Sequence, residues 1–316
     1  MDSPATPYNR AHHAFAVFVA CATFVLIMVG ALVTSNDAGL SVPDWPTSFR
    51  HSPISYSYFT VPMVGGVMYE HGHRIIAEFI GLFTIALAIW TWRADRRRWM
   101  RRLGLAAVLI VVVQGVLGGI TVLTGLPPIV STAHAALGQA FFCIVVAMAL
   151  FTGRRFATDE PRVKFEVRRP SLTTLAWWSS AAIFVQLILG AMFRHNGMKL
   201  LPHIVMACIV TVLVVWTTMR ALAQFAPLDA VRRPAMALLL LLITQVSLGF
   251  AAYLARVVWK GAAEDPTPLL VWSTVAHVSV GALLLATSVV LAIEASRNVV
   301  ALRAEEITET RKAATA

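Results

Sequence analysis

The sequence predicts an all-α fold, a polytopic membrane protein of eight transmembrane helices grouped as two pseudo-repeated four-helix bundles. Three observations carry this. Of the 316 residues, 58% are hydrophobic and only 13% charged. The apolar residues fall in blocks of roughly 20, the length that spans a bilayer, separated by short polar stretches. A short motif recurs between the two halves. Together they exclude a soluble domain.

The first block covers about 14–34. Its apolar run from Phe15 to Val33 is too long for the core of a signal peptide, and no small-x-small cleavage site follows, so the span is retained. Further spans follow at about 72–92, 103–123, 132–151, 174–194, 201–220, 234–256 and 271–293. Residues 1–152 then form an N-terminal bundle with a long outer loop at 35–71, 153–173 a cytoplasmic linker, and 174–316 a C-terminal bundle with a cytoplasmic tail.

Orientation follows from basic residues, because positively charged flanks resist translocation. The connections after spans two, four and six carry fifteen: Arg93, Arg96, Arg97, Arg98, Arg101, Arg102, Arg154, Arg155, Arg162, Lys164, Arg168, Arg169, Arg220, Arg232 and Arg233. The opposite connections carry six: Arg50, Arg74, Arg194, Lys199, Arg256 and Lys260. Both termini are therefore expected in the cytoplasm. The net charge of +10 lies where anionic lipid headgroups meet the basic loops, and no nucleic-acid partner is called for. Cys21, Cys143 and Cys208 all fall inside spans and none at the level of the histidines, so neither a disulfide nor a thiolate ligand there is expected.

The repeat is carried by glutamine followed four residues later by glycine, at Gln114–Gly118, Gln186–Gly190 and Gln245–Gly249. Histidines recur with it. His73 precedes Gln114 by 41 positions and His203 precedes Gln245 by 42, while His134 and His277 each open the following span. Two readings of the glycines stand: close helix packing, or room for a flat macrocycle.

His73, His134, His203 and His277 lie at the starts of spans two, four, six and eight, all entering from the outer side at one depth. One such imidazole is adequately explained by a bond to a nearby carbonyl. Four in register, two per repeat, point to axial clamping of haem iron between facing helices, with two haem sites. Closed zinc or copper sites want three or four ligands gathered together, which two separate pairs do not provide. His12, His13, His51, His71 and His195 read as surface or loop residues.

Glu70 stands three residues before His73 on the same helical face. It balances charge, accepts a proton, stabilises positive charge on a substrate, or simply complements the helix dipole. Glu78, two turns deeper, belongs to a proton route or to bonding within the bundle. Arg74, Arg194 and Arg256 are candidate contacts for haem propionates, with snorkelling to headgroups the alternative.

The segment Gly30-Ala-Leu-Val-Thr-Ser-Asn-Asp-Ala-Gly-Leu-Ser-Val-Pro-Asp-Trp-Pro46 resembles heme A synthases, as do Glu70-x-x-His73-Arg74, Gln114-Gly-Val-Leu-Gly-Gly119, Ala133-His134, Pro202-His203 and Ala276-His277. The resemblance spans nearly the whole chain. It implies conversion of haem O to haem A by oxidation of a porphyrin methyl to a formyl, with the product destined for cytochrome oxidase. His73 and His134 would flank the substrate haem, His203 and His277 would ligate haem b, and Glu70 would assist catalysis. A bacterial plasma membrane location and contact with the farnesyltransferase that makes haem O are further implications; a homo-oligomer is left open. Many bacterial members carry a cysteine pair in the first outer loop, and 35–69 here has none. Asp37, Asp44, Trp45 and the loop prolines either cap the substrate site or form an ordered turn. The competing readings are a diheme electron carrier that leaves its haem unmodified and a proton-relaying transporter.

Overall fold

The computed structural model describes residues 8–51, 63–158, 161–258 and 267–302. The middle of the 35–71 loop, the connection carrying Lys260 and the C-terminal tail lie outside them. Among the described residues, eight helices are long and apolar enough to cross a membrane. They are α1 (Arg10–Ser35), α2 (Gly66–Ala94), α3 (Arg98–Leu123), α4 (Pro128–Thr152), α6 (Leu172–Arg194), α7 (Leu201–Gln224), α8 (Asp229–Tyr253) and α9 (Pro268–Asn298), with a single-turn α5 (Arg154–Ala157) between α4 and α6. A π-helical turn, Leu254–Val258, prolongs α8.

Each helix outruns its apolar block at one or both ends, because capping chemistry rather than hydropathy sets the boundary. The Asn9 side chain accepts the His12 N–H at 3.0 Å, Ser171 that of Thr174 at 3.2 Å, and Thr267 that of Leu270 at 3.3 Å. Pro128 and Pro268 open α4 and α9, where the missing N–H has no intrahelical use. His12 and His13 consequently lie inside α1 instead of preceding it. His12 is buried, pairs with Thr91 Oγ1 at 2.9 Å and stacks on Trp90, which corrects its reading as a surface residue.

Helix α1 packs on α2 and α4, α2 on α3, and α3 on α4, closing a ring; α6 packs on α7 and α9, α7 on α8, and α8 on α9, closing a second. The rings meet where α4 contacts α6 and α9, and where α1 contacts α9. Central placement shows in burial: 50% of the apolar stretches of α4 and α9 is enclosed, against 17–28% for the other six. Val19, Leu87, Val145 and Met148 fill the first ring together with Ala282 and Ala286 of α9, and Val214, Leu238 and Leu291 fill the second. Large side chains on the far faces, such as Leu109 and Val212, stay exposed, as lipid-facing positions do.

The fold departs from purely helical at the arginine-rich end. Lys164–Glu166 (β1) pairs in parallel with Val299–Ala301 (β2), joining the segment before α6 to the chain just beyond α9. Residues 164–166, in the connection before α6, are thereby tied to the chain beyond α9. Nearby, Asp95 holds Arg97 at 2.6 Å, and Arg97 donates to the Phe151 carbonyl at 2.9 Å.

Candidate functional site

At the other end of the helices, each of the four histidines sits against a glycine of the preceding helix. A methyl group on Gly30 of α1 would lie 3.1 Å from His73 Cε1, on Gly118 of α3 3.0 Å from His134, on Gly190 of α6 2.8 Å from His203, and on Gly249 of α8 2.9 Å from His277. Any Cβ at these positions would crowd the imidazole. The first helix of each hairpin therefore supplies a notch, and the second supplies the ring that fills it.

The glutamine one turn before the notch holds the same histidine. Gln114 Nε2 donates to the His134 carbonyl at 2.9 Å, and Gln186 Nε2 to the His203 carbonyl at 3.0 Å. Gln245 Nε2 lies 3.4 Å from His277 Nε2. His134 Nδ1 also stands 3.2 Å from the Gln114 backbone carbonyl. An Nδ1–H donated there leaves Nε2 as the acceptor nitrogen, 3.5 Å from the Gln114 amide, and a backbone carbonyl used in this way fixes the tautomer of the imidazole. The fit is reciprocal, because Gly138 and Gly281 make room for the Gln114 and Gln245 amides, 3.1 Å from where a Cβ would be. The space left by the motif's glycines is thus occupied by imidazole, a role neither sequence reading named.

Helices α2 and α4 stand across the first ring from each other, and α7 and α9 across the second. The His203 and His277 rings stand edge-to-face, with centroids 6.4 Å apart and planes at 78°. Two imidazoles sharing one metal through bonds of roughly 2.0–2.1 Å have centroids about 6 Å apart, so this pair has the spacing for one ion between them. Nδ1 of His73, His203 and His277 and Oε1 of Gln114, Gln186 and Gln245 are buried with no hydrogen-bond partner among the described residues.

Glu70 and Arg74, one helical turn apart on α2, fasten the following face of the first ring's mouth. Both are largely buried. Glu70 Oε2 accepts the Val42 N–H at 2.8 Å and Oε1 accepts from Arg74 at 2.5 Å. Arg74 also donates to the carbonyls of Val42, Asp44 and Thr47 at 2.9, 2.6 and 2.8 Å. Trp45 then lies over Gly119 of α3, where any Cβ would collide with its ring, and Leu126 packs against Gly39. Residues 36–51 accordingly cross from α1 over α2 to α3. With both oxygens of a carboxylate offering about four acceptor sites, Glu70 keeps capacity for a further donor.

Asp44 knots this segment, accepting Thr47 Oγ1 at 2.5 Å and the N–H groups of Phe49 and Arg50 at 2.7 and 2.8 Å. Burial raises its pKa, but these donors outweigh it and hold the carboxyl at about 2, against an ordinary 3.8. Its stabilising contribution is complete above the unfolded value and is lost as pH falls through the folded one. Asp44→Ala is expected to accelerate amide exchange at Phe49 and Arg50 about tenfold or more in hydrogen–deuterium mass spectrometry, leaving exchange in α6–α9 unchanged.

Arg194 Nη2 donates to Ser35 Oγ of α1 at 3.1 Å, and Arg256 stacks on Phe193, 5.5 Å from the ring centre. His195 caps α6 beside them. Burial, reinforced by Arg194, His134 and Arg256, lowers it to about 4, so it is a neutral ring at neutral pH. His71, expected at the surface, is fully buried, because α2 begins five residues before it and turns it toward the packed interior. His51 is exposed, as expected.

Residues 13–202 match the family described as Cytochrome oxidase assembly protein (COX15-CtaA). The chain belongs to that family. The matched stretch carries Glu70, His73, Arg74, Gln114 and His134, and stops one residue before His203. Among individual relatives, the Heme A synthase of Symbiobacterium thermophilum is 29% identical over 54% of this chain and 55% of its own length. That of Lysinibacillus sphaericus is 24% identical over 61% of each, and that of Shewanella oneidensis 28% over 55% and 54%. The match covers between half and two thirds of the length of these relatives. Sequence reasoning within the family motif missed Gly30 as a histidine notch, since no glutamine precedes it to signal the register.

Proposed function

We propose that the chain is a heme A synthase that oxidises a ring methyl of haem O to a formyl group. The facing pair His203–His277, with its 6.4 Å spacing, is the observation that carries the haem part of this reading. The donor set fits: imidazoles seated against glycine, three of them beside a glutamine amide, with buried ring nitrogens unpartnered among the described residues. In this reading His203 and His277 hold haem b, and His73 and His134 hold the substrate haem O. Haem b supplies one-electron transfer away from the first ring.

The chain's own residues position and shield. His73 and His134 set the substrate between α2 and α4. Residues 36–51, pinned by Arg74 and capped by Trp45, cover the mouth. Glu70, one turn from His73, stabilises positive charge developing at the methyl or takes a proton from the attacking oxygen. Each of two successive two-electron oxidations would replace one C–H bond of the methyl by C–OH with oxygen from water, the two protons passing to Glu70 and solvent and the two electrons leaving one at a time to an external electron acceptor; the geminal diol then loses water to leave the formyl. Arg74 is committed to the loop carbonyls, so Arg194 and Arg256 are the better placed propionate contacts.

The same reading divides the chain into repeated halves, 1–152 and 174–316, joined by 153–173, in a bacterial plasma membrane with both termini cytoplasmic. Substrate arrives from the haem O-forming farnesyltransferase, and product goes to cytochrome oxidase assembly.

The test is acid-extracted haem from protein expressed beside a source of haem O, separated by reverse-phase chromatography with mass detection. Haem b together with haem A or its alcohol precursor is expected; haem b alone would leave an electron carrier. Glu70→Gln should retain haem and lower haem A formation about 100-fold or more, accumulating haem O or the alcohol. Undiminished haem A would remove Glu70 from the chemistry.

A further inference from the structure

The four histidine seats are not equivalent. In α3, α6 and α8 a glutamine stands one turn before the glycine notch; in α1 that position is Leu26. Gln114 holds His134 through its side-chain amide, which donates to the His134 carbonyl at 2.9 Å and lies 3.5 Å from Nε2, and through its backbone carbonyl, 3.2 Å from Nδ1. Leucine has no group to donate. His73 sits in the Gly30 notch without an amide beside it: its Nδ1 is unpartnered among the described residues, as are those of His203 and His277, but only those two and His134 have a glutamine amide 3.4–3.5 Å from Nε2. The His73 backbone, by contrast, is fixed, because Glu70 and Arg74 bind the same turn of α2 to residues 42–48. Turning the His73 side chain breaks no hydrogen bond among the described residues, whereas turning that of His134 gives up the approach of Nδ1 to the Gln114 carbonyl and of Nε2 to the Gln114 amide.

On the proposed function, the second ring keeps its haem while the first must admit a substrate and release a product. We propose that His73 is the ligand that lets go during this exchange, with His134 as the fixed anchor, and that leucine at position 26 is the cause. Exchange then needs a side-chain swing and no shift of α2. A glutamine at position 26 would convert an exchange site into a retention site of the kind found in the second ring.

The experiment uses the full chain purified after expression with a source of haem O. Excess apomyoglobin captures released haem, chromatography distinguishes haem O and haem A from haem b, and carbon monoxide binding to the reduced protein reports a freed coordination position. Wild-type protein is expected to lose first-ring haem and bind carbon monoxide there, while retaining haem b. Leu26→Gln should slow that loss about tenfold and suppress carbon monoxide binding, with haem b content unchanged. Gln114→Leu should accelerate the loss, which keeps the proposal testable if Leu26→Gln folds poorly. Unchanged release and carbon monoxide binding in Leu26→Gln, with haem O bound, would overturn the proposal and leave the synthase reading standing. Wild-type protein carrying haem b only would overturn both.

Discussion

If the second ring holds haem b as proposed, Gly190→Ala is expected to strip it while the helices stay folded. The added Cβ would stand 2.8 Å from His203 Cε1, inside contact distance, so the imidazole must turn away from His277. Alanine is also the better helix former by about 1 kcal/mol, so loss of haem could not be ascribed to a weakened α6. Displacing a ligand through its support typically lowers metal affinity about 10–100-fold. Haem b per protein, read by the pyridine haemochrome, should fall accordingly, with the helical circular dichroism retained. Gly115→Ala is the control, since nothing lies within 4 Å of its Cβ position. A Gly190→Ala protein with full haem b would show that His203 does not ligate from this seat.

Glu166→Ala is expected to destabilise the protein by about 3–5 kcal/mol, the range for removing one partner of a buried ion pair. Glu166 is 3% exposed and accepts from Arg220 at 2.9 Å and from the Leu172 N–H at 2.7 Å, where α6 begins. Arg220 binds the Pro170 carbonyl at 3.0 Å, and the Glu166 carbonyl accepts the Leu302 N–H at 2.9 Å. Truncation leaves the Arg220 guanidinium buried without its counter-charge and frees the start of α6. Denaturation in mixed detergent micelles should show the loss, with Glu166→Gln retaining part of the stability through its carbonyl oxygen. The double variant Glu166→Ala, Arg220→Met should recover much of it, because no uncompensated charge remains. Equal stability of Glu166→Ala and wild type would mean that the strand pair carries no load.

Much of the fold was legible because a bilayer imposes a length and a polarity on every span. The eight apolar blocks correspond to the eight long helices, and only their ends moved, where Asn9, Ser171, Thr267 and two prolines set the boundaries. The extension of α1 explains why His12 was misread, and that of α2 explains His71. The strand pair escaped notice because three residues of β1 pair with three of β2 across more than 130 positions, and so short a segment has no periodicity to detect.

The candidate site divides in the same way. Residue type and register in the sequence determined that four histidines share one end of the helices, that glutamine and glycine recur one turn apart, and that Glu70 shares a turn with His73. Tertiary structure alone decided that each glycine is a notch for the next helix's imidazole, that His203 and His277 face each other, and that Arg74 is spent on the loop. It also decided that Leu26 occupies a position equivalent to the three glutamines. The physical reason is that spacing along a helix fixes which residues share a face. Which face meets which neighbour is settled only when side-chain volumes and unpaired polar atoms are packed together.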